Sequence, residues 1–264
     1  MPSPRDFPSP RDFYDSADPA RWGRDEMPEQ ERVTIDWITR VASDGPALEL
    51  GCGRGRLAGV TARYAGIDLA FTPLLATRGK SVQGDMEQLP FRNASIAFVF
   101  SWAAIEHVPH PERVLAEIER VLRPGGTALL APAWHCRPWA AEGLEFRPYS
   151  ALSRGQKIRK ALIPFRNLIL WRAMFEVPRR IAREVAALIR KPAFTYDRLT
   201  PNLHEYVGTD CDAFTSMDPH TAILYFRARG WNVLSHPTLI ARMLVRHGAV
   251  AVQKPLRFGV TAWD

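Results

Sequence analysis

The feature that most constrains the fold of this chain is an apolar strand that runs directly into a glycine-rich turn. Residues 48–55 read LELGCGRG, and the three glycines lack the Cβ atoms that would keep the backbone away from a ligand. We expect a helix to follow, with the unpaired N–H groups of its first turn facing the same ligand. Because a lone glycine pattern is weak evidence, a tight turn without a ligand is the alternative.

Strands and helices alternate along most of the chain. The predicted strands are 47–50, 65–67, 81–83, 96–100, 127–131, 231–235 and 249–253. Helices are predicted at 28–42, at 111–122 and after Asp218, where Pro219 occupies the first turn and Gly230 follows the end. This alternation predicts a doubly wound, mostly parallel α/β sheet that is covered by helices.

The alternation breaks down between Ala133 and Met217, which predicts a helix-rich insertion after the fifth strand. A length of 264 residues fits one domain that carries a large insertion. The predicted organisation is a mobile N-terminal tail at 1–27, a core at 28–132, the insertion at 133–217 and the rest of the core at 218–264. The tail prediction rests on the proline-rich hexapeptide PSPRDF, which occurs at 2–7 and again at 8–13.

Most of the positive charge lies in one segment. The chain has a net charge of +7, and residues 151–192 alone carry +9, with 11 Lys and Arg against two Glu. A pI near 9.7 normally raises nucleic acid as a partner. Here the basicity belongs to a segment and not to the whole surface, so its role has to be explained separately.

Cysteine usage and hydropathy bear on the compartment. The chain has three cysteines, Cys52, Cys136 and Cys211. An odd number favours a reducing compartment over a disulfide scaffold, and their spacing is not that of metal ligands, so we expect no bound metal. The longest apolar runs fall far short of the roughly 20 residues that cross a bilayer. No N-terminal secretion signal is recognisable, and we expect a cytoplasmic protein.

The glycine spacing argues against a dinucleotide as the ligand. The dinucleotide fingerprint places its third glycine where this chain has Arg56. Glu49 lies two residues before the first glycine, where it would repel a pyrophosphate but attract a cationic or amine-bearing ligand.

Two further carboxylates end the next two strands. Asp68 lies 19 residues after Glu49, where it can accept hydrogen bonds from two ribose hydroxyls. Asp85 can accept from an adenine amino group, with Met86 and Leu69 supplying apolar faces for the ring. Either acid alone could be an ordinary cap or turn residue, but their occurrence at successive strand ends favours a nucleoside site.

In this ordered combination the motifs resemble the class I S-adenosylmethionine-dependent methyltransferases, specifically the type 11 group. The motifs are ELGCGRG at 49–55, GID at 66–68, GDMEQLPF at 84–91, IEHV at 105–108 and RVLRPGG at 120–126. The resemblance implies a Rossmann-like, seven-stranded sheet and S-adenosylmethionine as cofactor. The cofactor-binding residues that it implies are Glu49, Gly51, Gly53, Gly55, Asp68, Leu69, Asp85, Met86, Ser101 and Trp102.

Methyl transfer from a sulfonium requires mainly an aligned acceptor and an absence of water. A hydroxyl acceptor also benefits from a general base, and the candidates are His107 and His135, with His110 behind them. The alternative for His107 is a structural histidine at a loop junction, and for His135 a hydrogen-bonded loop residue. No Asn-Pro-Pro-aromatic motif follows the fourth strand, which disfavours methylation of nucleobase amino groups.

The basic insertion admits three interpretations. The interpretation that we favour is a lid that covers the substrate pocket and has solvated arginines. The second is a surface that binds an anionic membrane or lipid-linked substrates. Binding of RNA through its phosphates ranks third. The predicted function is therefore O-methylation of a small-molecule or lipid-linked glycan acceptor, and the alternatives are a cofactor-binding scaffold without activity and an RNA methyltransferase.

Overall fold

The structure is a computed structural model that describes residues 9–16, 29–42, 44–77, 79–204, 208 and 210–256. Most of the predicted tail and the last eight residues lie outside the described ranges. The helices are α1 Pro10–Asp15, α2 Glu29–Val41, α3 Phe71–Leu74, α4 Pro111–Val121, α5 Pro138–Ala141, α6 Arg154–Asn167, α7 Ile169–Ile189, α8 Pro219–Arg227 and α9 Leu239–Leu244. The strands are β1 Ala47–Leu50, β2 Tyr64–Asp68, β3 Ser81–Gln83, β4 Ile96–Trp102, β5 Leu122–Ala131, β6 Tyr196–Arg198, β7 Thr215–Met217, β8 Asn232–Val233 and β9 Val250–Gln253.

Seven of these strands form one sheet in the order β3-β2-β1-β4-β5-β9-β8. The first five strands of that order pair in parallel, and β9 pairs antiparallel with both β5 and β8. The strand β1 pairs with β2 on one side and with β4 on the other. The predicted doubly wound, mostly parallel seven-stranded sheet is confirmed.

Apolar residues that alternate along the strands cover both faces of the sheet. Leu48 and Leu50 share one buried cluster with apolar side chains of α4 and α8, including Ile118 and Phe226. The strand residues that point the other way share a second cluster with Ile38 of α2. Helices therefore cover both faces, which explains why β1 is buried along its whole length.

The predicted insertion contains α5, α6, α7 and the small β6–β7 hairpin. Ser153 and Gln156 form a capping box at the start of α6, with hydrogen bonds in both directions. The much longer helix α7 contacts α6, α8 and α9. The insertion is thus attached to the C-terminal part of the core through α7.

An ionic junction holds α7 against the core. Arg180 of α7 is 3% exposed, and it donates to Asp218 Oδ1 at 2.8 Å and to the Met243 carbonyl at 2.7 Å. Arg183 donates to Asp218 Oδ2 at 2.9 Å. The expectation that the arginines of the lid are solvated is wrong for Arg180, whose partner Asp218 also caps α8, whereas the side chain of Arg183 is still 38% exposed.

The predicted mobile tail is corrected for residues 9–16. Ser9 caps α1 by accepting from the Asp12 N–H, and Phe13 is buried. Asp15 accepts from the Phe71 N–H at 2.6 Å and from the Thr72 N–H at 2.9 Å, which satisfies two N–H groups of the first turn of α3. A cap, a buried ring and a carboxylate therefore dock this short helix on the core.

Within the described ranges, no helix combines the length and the apolar composition needed to cross a bilayer.

Candidate functional site

The predicted site residues lie at the carboxyl ends of β1, β2 and β4. The chain leaves β1 to form β2 on one side, whereas β4 lies on its other side. In open parallel sheets, ligands bind at such a reversal of strand order, outside the carboxyl ends of the strands. The fold thus brings Glu49, Asp68 and Ser101 to one edge of the sheet.

The glycine turn after β1 is tightly packed. Gly51, Gly53 and Gly55 have φ values of +71°, +49° and +67°, in the left-handed region that favours glycine. A Cβ atom on Gly51 would lie 2.3 Å from the Cβ of Ala104, and one on Gly55 would lie 2.5 Å from Thr77 Cγ2. The turn therefore requires glycine at both positions for its own packing.

The expected helix after the turn does not form. Residues 53–59 make consecutive turns in which Gly55, Ala58 and Val60 donate to carbonyls three residues earlier. The left-handed conformations of Gly53 and Gly55 interrupt the regular α-helical bonding that the prediction assumed.

Asp68 is hydrogen-bonded into the glycine turn. Its Oδ2 accepts from the Gly53 N–H at 2.7 Å, and its Oδ1 accepts from the Ala70 N–H at 3.0 Å. Burial raises the pKa of Asp68, and these N–H donors oppose that rise. Each carboxylate oxygen can accept a second hydrogen bond, so Asp68 retains capacity for two ribose hydroxyls.

Glu49 is buried beside the turn and accepts a hydrogen bond from the Tyr64 hydroxyl. Burial and the carboxylate of Glu49 raise the pKa of Tyr64, so the phenol stays protonated and remains a donor. A neighbouring carboxylate of this kind suits a ligand that carries positive charge.

The predicted adenine contacts come from the loop that follows β3 and from Leu69, which follows β2. Met86 is buried with its Cε 3.4 Å from the position of a Cβ on Gly51, and Leu69 is half-buried. Asp85 is exposed, and its Oδ1 accepts from the Glu87 N–H at 2.8 Å. Met86 thus adjoins the glycine turn, whereas Asp85 makes a local turn and its contact with adenine stays a prediction.

Arg120 of α4 anchors the same loop. Its guanidinium donates to the Leu89 and Phe91 carbonyls at 2.8 and 2.7 Å while it pairs with Glu117. Glu117 in turn accepts from the Leu89 N–H at 2.7 Å. The motifs at 84–91 and 120–126 therefore adjoin each other, and the first of them contacts the glycine turn through Met86.

Ser101 and Trp102 end β4 on opposite faces of the sheet. Ser101 is fully buried and donates to the Leu50 carbonyl at 3.0 Å, so it ties β4 to the end of β1. Trp102 is partly buried and packs against the cluster that contains Ile38 and Phe100. Both residues lie at the predicted edge, and their contact with the sulfonium end stays a prediction.

His107 lies in a cluster of acidic side chains. It ends a short 3₁₀ helix, Ile105–His107, and its Nδ1 lies 3.6 Å from Asp212 Oδ2. Its Nε2 lies 3.8 Å from Glu106 Oε1. Burial alone would lower the pKa of His107, but the carboxylates of Asp212 and Glu106 outweigh it and raise that pKa.

His135 occupies a different environment. The residue has a φ of +62°, and its N–H donates to the Met217 carbonyl at 2.9 Å. Burial lowers its pKa to about 4, and the charges that act on it belong to other groups than those around His107, chiefly Asp218 and Arg137. The structure therefore separates the two predicted bases into two electrostatic clusters.

A cavity of about 480 Å³ lies within the insertion, lined by α5 and by residues 198–202 and His204. None of the predicted site residues lines this cavity.

Sequence reasoning missed Tyr14, Ala104, Glu106 and Asp212. Glu106 lies in the motif at 105–108 and Ala104 directly precedes it, but the sequence pattern predicted no role for either residue. Tyr14 directly follows the proline-rich repeat, and Asp212 follows residues with no regular pattern, so neither had a signal that could have revealed a contact.

The sheet order and the glycine turn are those expected of S-adenosylmethionine-dependent methyltransferases with a class I fold. Within that class, residues 48–130 match the family model Methyltransf_11, described as a methyltransferase domain. The predicted resemblance is confirmed, and this segment is a type 11 methyltransferase domain. The family uses S-adenosylmethionine, in agreement with the predicted cofactor.

Curated relatives include methyltransferases from mycobacteria. A phthiotriol/phenolphthiotriol dimycocerosates methyltransferase of Mycobacterium tuberculosis is 38% identical over 125 residues, which is 41% of this chain and 46% of that protein. The Mycobacterium leprae protein of the same name is 28% identical over 216 residues, or 75% of this chain and 73% of that protein. The chain spans less than half the length of the first curated relatives that it matches.

Among solved structures, a SAM-dependent methyltransferase of Thermotoga maritima, described as a possible histamine N-methyltransferase, covers 84% of this chain and 88% of its own. The two share 16% sequence identity and a TM-score of 0.46.

Proposed function

We propose that this protein transfers the methyl group of S-adenosylmethionine to a hydroxyl of a small-molecule or lipid-linked acceptor. The observation that carries the proposal is the packed glycine turn after β1, where Asp68 accepts from the Gly53 N–H and Ala104 lies against Gly51. The turn opens at the edge of the sheet where nucleosides bind in folds of this type.

The described residues fit the cofactor. A cradle at Gly51 and Gly55 excludes any Cβ, Asp68 has acceptor capacity for a ribose, and Met86 offers an apolar face beside the turn. When bound, S-adenosylmethionine supplies an activated methyl group: the acceptor oxygen forms a bond to the methyl carbon while the carbon–sulfur bond breaks and its electron pair stays on sulfur.

The task of the protein is to align the acceptor, exclude water and receive a proton. We assign the proton to His107, because it lies three positions after Ala104, which packs on the glycine turn. Its N–H donates to the Ala104 carbonyl at 3.1 Å, which fixes that spacing. His135 is the weaker of the two predicted bases, since a pKa of about 4 leaves it a poor proton acceptor at neutral pH.

The names of the mycobacterial relatives support a lipid as acceptor class. The test is mass spectrometry of lipid and polar extracts from matched strains with and without the gene, searched for pairs of compounds that differ by one methylene. A methylated compound that disappears with the gene, and that the purified protein regenerates from the unmethylated partner, supports the proposal. Cofactor binding without any such pair would favour the scaffold function.

The exposed surface of α7 supports contact with an anionic membrane surface. We define the α7 stripe as Met174, Ile181, Val185, Leu188 and Ile189, which are all exposed, the last two at 78% and 85%. At 100° per residue these side chains lie on one side of the helix, away from the buried Arg180. Arg179, Arg190 and Lys191 are exposed on the same helix and just beyond its end.

Such an amphipathic surface can lie in the headgroup region, with its cations attracted to anionic lipid by about 1 kcal/mol each. The membrane test is flotation with vesicles of phosphatidylglycerol and phosphatidylcholine, compared with pure phosphatidylcholine. We expect flotation only with the anionic vesicles, and its loss in Leu188→Ser/Ile189→Ser. The matched control is Leu256→Ser, which removes an equally exposed leucine elsewhere.

Wild-type protein that fails to float contradicts membrane contact. The same protein then enters a filter-binding assay with RNA across a salt series, where a steep fall in affinity with salt would point to phosphate contacts.

A further inference from the structure

Two side chains that the proposed mechanism does not use converge on His107. One is Asp212, from the segment before β7, and the other is Tyr14 of α1, which lies 198 residues earlier in the chain. The Tyr14 hydroxyl donates to Asp212 Oδ2 at 2.9 Å. The same oxygen lies 3.6 Å from His107 Nδ1, so one carboxylate oxygen faces both groups.

The position of Asp212 is fixed by backbone contacts. The Phe214 N–H donates to the Glu106 carbonyl at 2.9 Å, and the Thr215 hydroxyl donates to the same carbonyl at 3.3 Å. These bonds tie the chain that follows Asp212 to the 3₁₀ helix that carries His107. Asp212 itself is 7% exposed, so its carboxylate interacts with protein groups more than with water.

Tyr14 is positioned from the other side. Its neighbours Phe13, which is buried, and Asp15, which binds the first turn of α3, dock α1 on the core. The rings of Tyr14 and His107 meet edge to face, with centroids 6.1 Å apart. Desolvation and the Asp212 carboxylate raise the pKa of Tyr14, so its hydroxyl stays protonated and remains a donor.

Glu106 does not compete for the role of Asp212. Its side chain is fully buried, and its Oε1 accepts from the Ala133 N–H at 2.9 Å. Burial raises the pKa of Glu106, and the neighbouring His107 and the Ala133 N–H oppose that rise. Asp210 is the third acid whose charge acts on His107, and burial raises its pKa as well.

We propose that Asp212 and Tyr14 are positioning residues for His107 in the methyl transfer. Asp212 faces Nδ1 and selects the tautomer that carries its proton there, so that Nε2 is left to receive the proton of the acceptor hydroxyl. Tyr14 holds the Asp212 carboxylate in that orientation. The helix α1 thereby becomes a part of the site, and removing it would leave the carboxylate without its hydroxyl partner.

This inference rests on the proposed function, and its test separates the two. The full-length chain is incubated with methyl-labelled S-adenosylmethionine and a total lipid extract as acceptor, for the wild type, Asp212→Asn and Tyr14→Phe. The label transferred is measured against pH. The matched control is Tyr196→Phe, which removes the same kind of bond, from a tyrosine hydroxyl to Glu112 Oε2 at 2.8 Å, in which neither His107 nor Asp212 takes part.

We expect Asp212→Asn to lower kcat about 100-fold and Tyr14→Phe to lower it about tenfold, with the KM for S-adenosylmethionine unchanged and Tyr196→Phe like wild type. Because the Asp212 carboxylate raises the pKa of His107, Asp212→Asn also moves the acidic limb of the pH profile to lower pH. NMR titration of His107 in each variant measures the same shift without any acceptor. The NMR titration therefore also tests a variant that shows no methyl transfer.

Wild-type protein that transfers label while Asp212→Asn keeps both its rate and its His107 titration would overturn the positioning roles alone. Rates and titrations are compared at a temperature where thermal melts show that both proteins are folded, and a slower Asp212→Asn with an unchanged His107 titration there also counts against the roles. Wild-type protein that transfers no label contradicts the proposed function instead, and the NMR titrations then decide the contact between Asp212 and His107.

Discussion

Gly51 combines two constraints that no other residue type satisfies. Its φ of +71° is a left-handed conformation, and a Cβ atom would lie 2.3 Å from Ala104 Cβ. Any side chain at this position must shift either the turn or Ala104, and both line the proposed cofactor site. Glycine is therefore required here by the fold as well as by the ligand.

We predict that Gly51→Ala lowers the affinity for S-adenosylhomocysteine by at least about tenfold, because a left-handed conformation costs about 1–2 kcal/mol before any clash is counted. Calorimetry measures the affinity, and a thermal melt reports the stability. The control is Gly59→Ala in the same turn region, where an added Cβ meets nothing within 4 Å. Equal affinities for the two variants would contradict the packing described at Gly51.

His220 provides a test of buried charge. It is fully buried on α8, and burial lowers its pKa to about 4 from an ordinary value of 6.5. Between pH 4 and pH 6.5, His220 is protonated in the unfolded chain but neutral in the folded chain. His220 therefore lowers the free energy of unfolding by up to about 1.4 kcal/mol per pH unit as the pH falls from 6.5 towards 4.

In NMR titration of the folded protein we expect the His220 imidazole to stay neutral well below pH 6.5. Urea unfolding across the same range should show that His220→Gln loses less stability on acidification than the wild type does. A His220 midpoint at or above 6.5 would contradict the burial of this side chain.

At the scale of elements, ion pairs link the insertion to the core at the junction between α7, α8 and α9. Glu184 of α7 accepts from Arg242 of α9 at 2.8 Å and from Arg227 of α8, while Arg180 and Arg183 donate to Asp218. Each of the two carboxylates thus binds two arginines, and together these ion pairs connect the three helices.

We predict that Asp218→Ala lowers the free energy of unfolding by about 3 kcal/mol. The change leaves the buried guanidinium of Arg180 without its carboxylate and also removes the N-cap of α8. Urea denaturation measures the loss. Glu142→Ala is the control, since it breaks an exposed pair with Arg159 and should cost less than about 1 kcal/mol. Similar losses in the two variants would show that burial does not strengthen the Asp218 pair.

Elements that apolar spacing and breakers mark were predictable, whereas α1 and the conformation after the glycine turn were not. The strand at 81–83 and the helix from Pro111 were predicted at their observed bounds or within one residue, because apolar spacing and breakers mark them. Helix α1 has six residues, and its single buried ring leaves no periodicity to read. The helix expected after the glycine turn was wrong, because positive φ values at Gly53 and Gly55 outweighed the general strand-turn-helix pattern.

At the scale of the whole molecule, the sequence predicts the part of the site that adjacent strand ends deliver. Glu49, Asp68 and Ser101 follow from strand order alone, since parallel strands end at the same edge. The bond between Tyr14 and Asp212 joins residues 198 apart, with no regular element around Asp212. Such a contact depends on how the insertion and α1 dock on the core, which local patterns do not encode.

The central claim is that the edge of the sheet beside the glycine turn binds S-adenosylmethionine. The most direct measurement is isothermal titration of the folded full-length chain with S-adenosylmethionine and with S-adenosylhomocysteine, with NADH as the dinucleotide comparison. We predict saturable binding of both sulfur compounds at one site per chain, and no binding of NADH. Folded protein that binds neither sulfur compound would contradict the account.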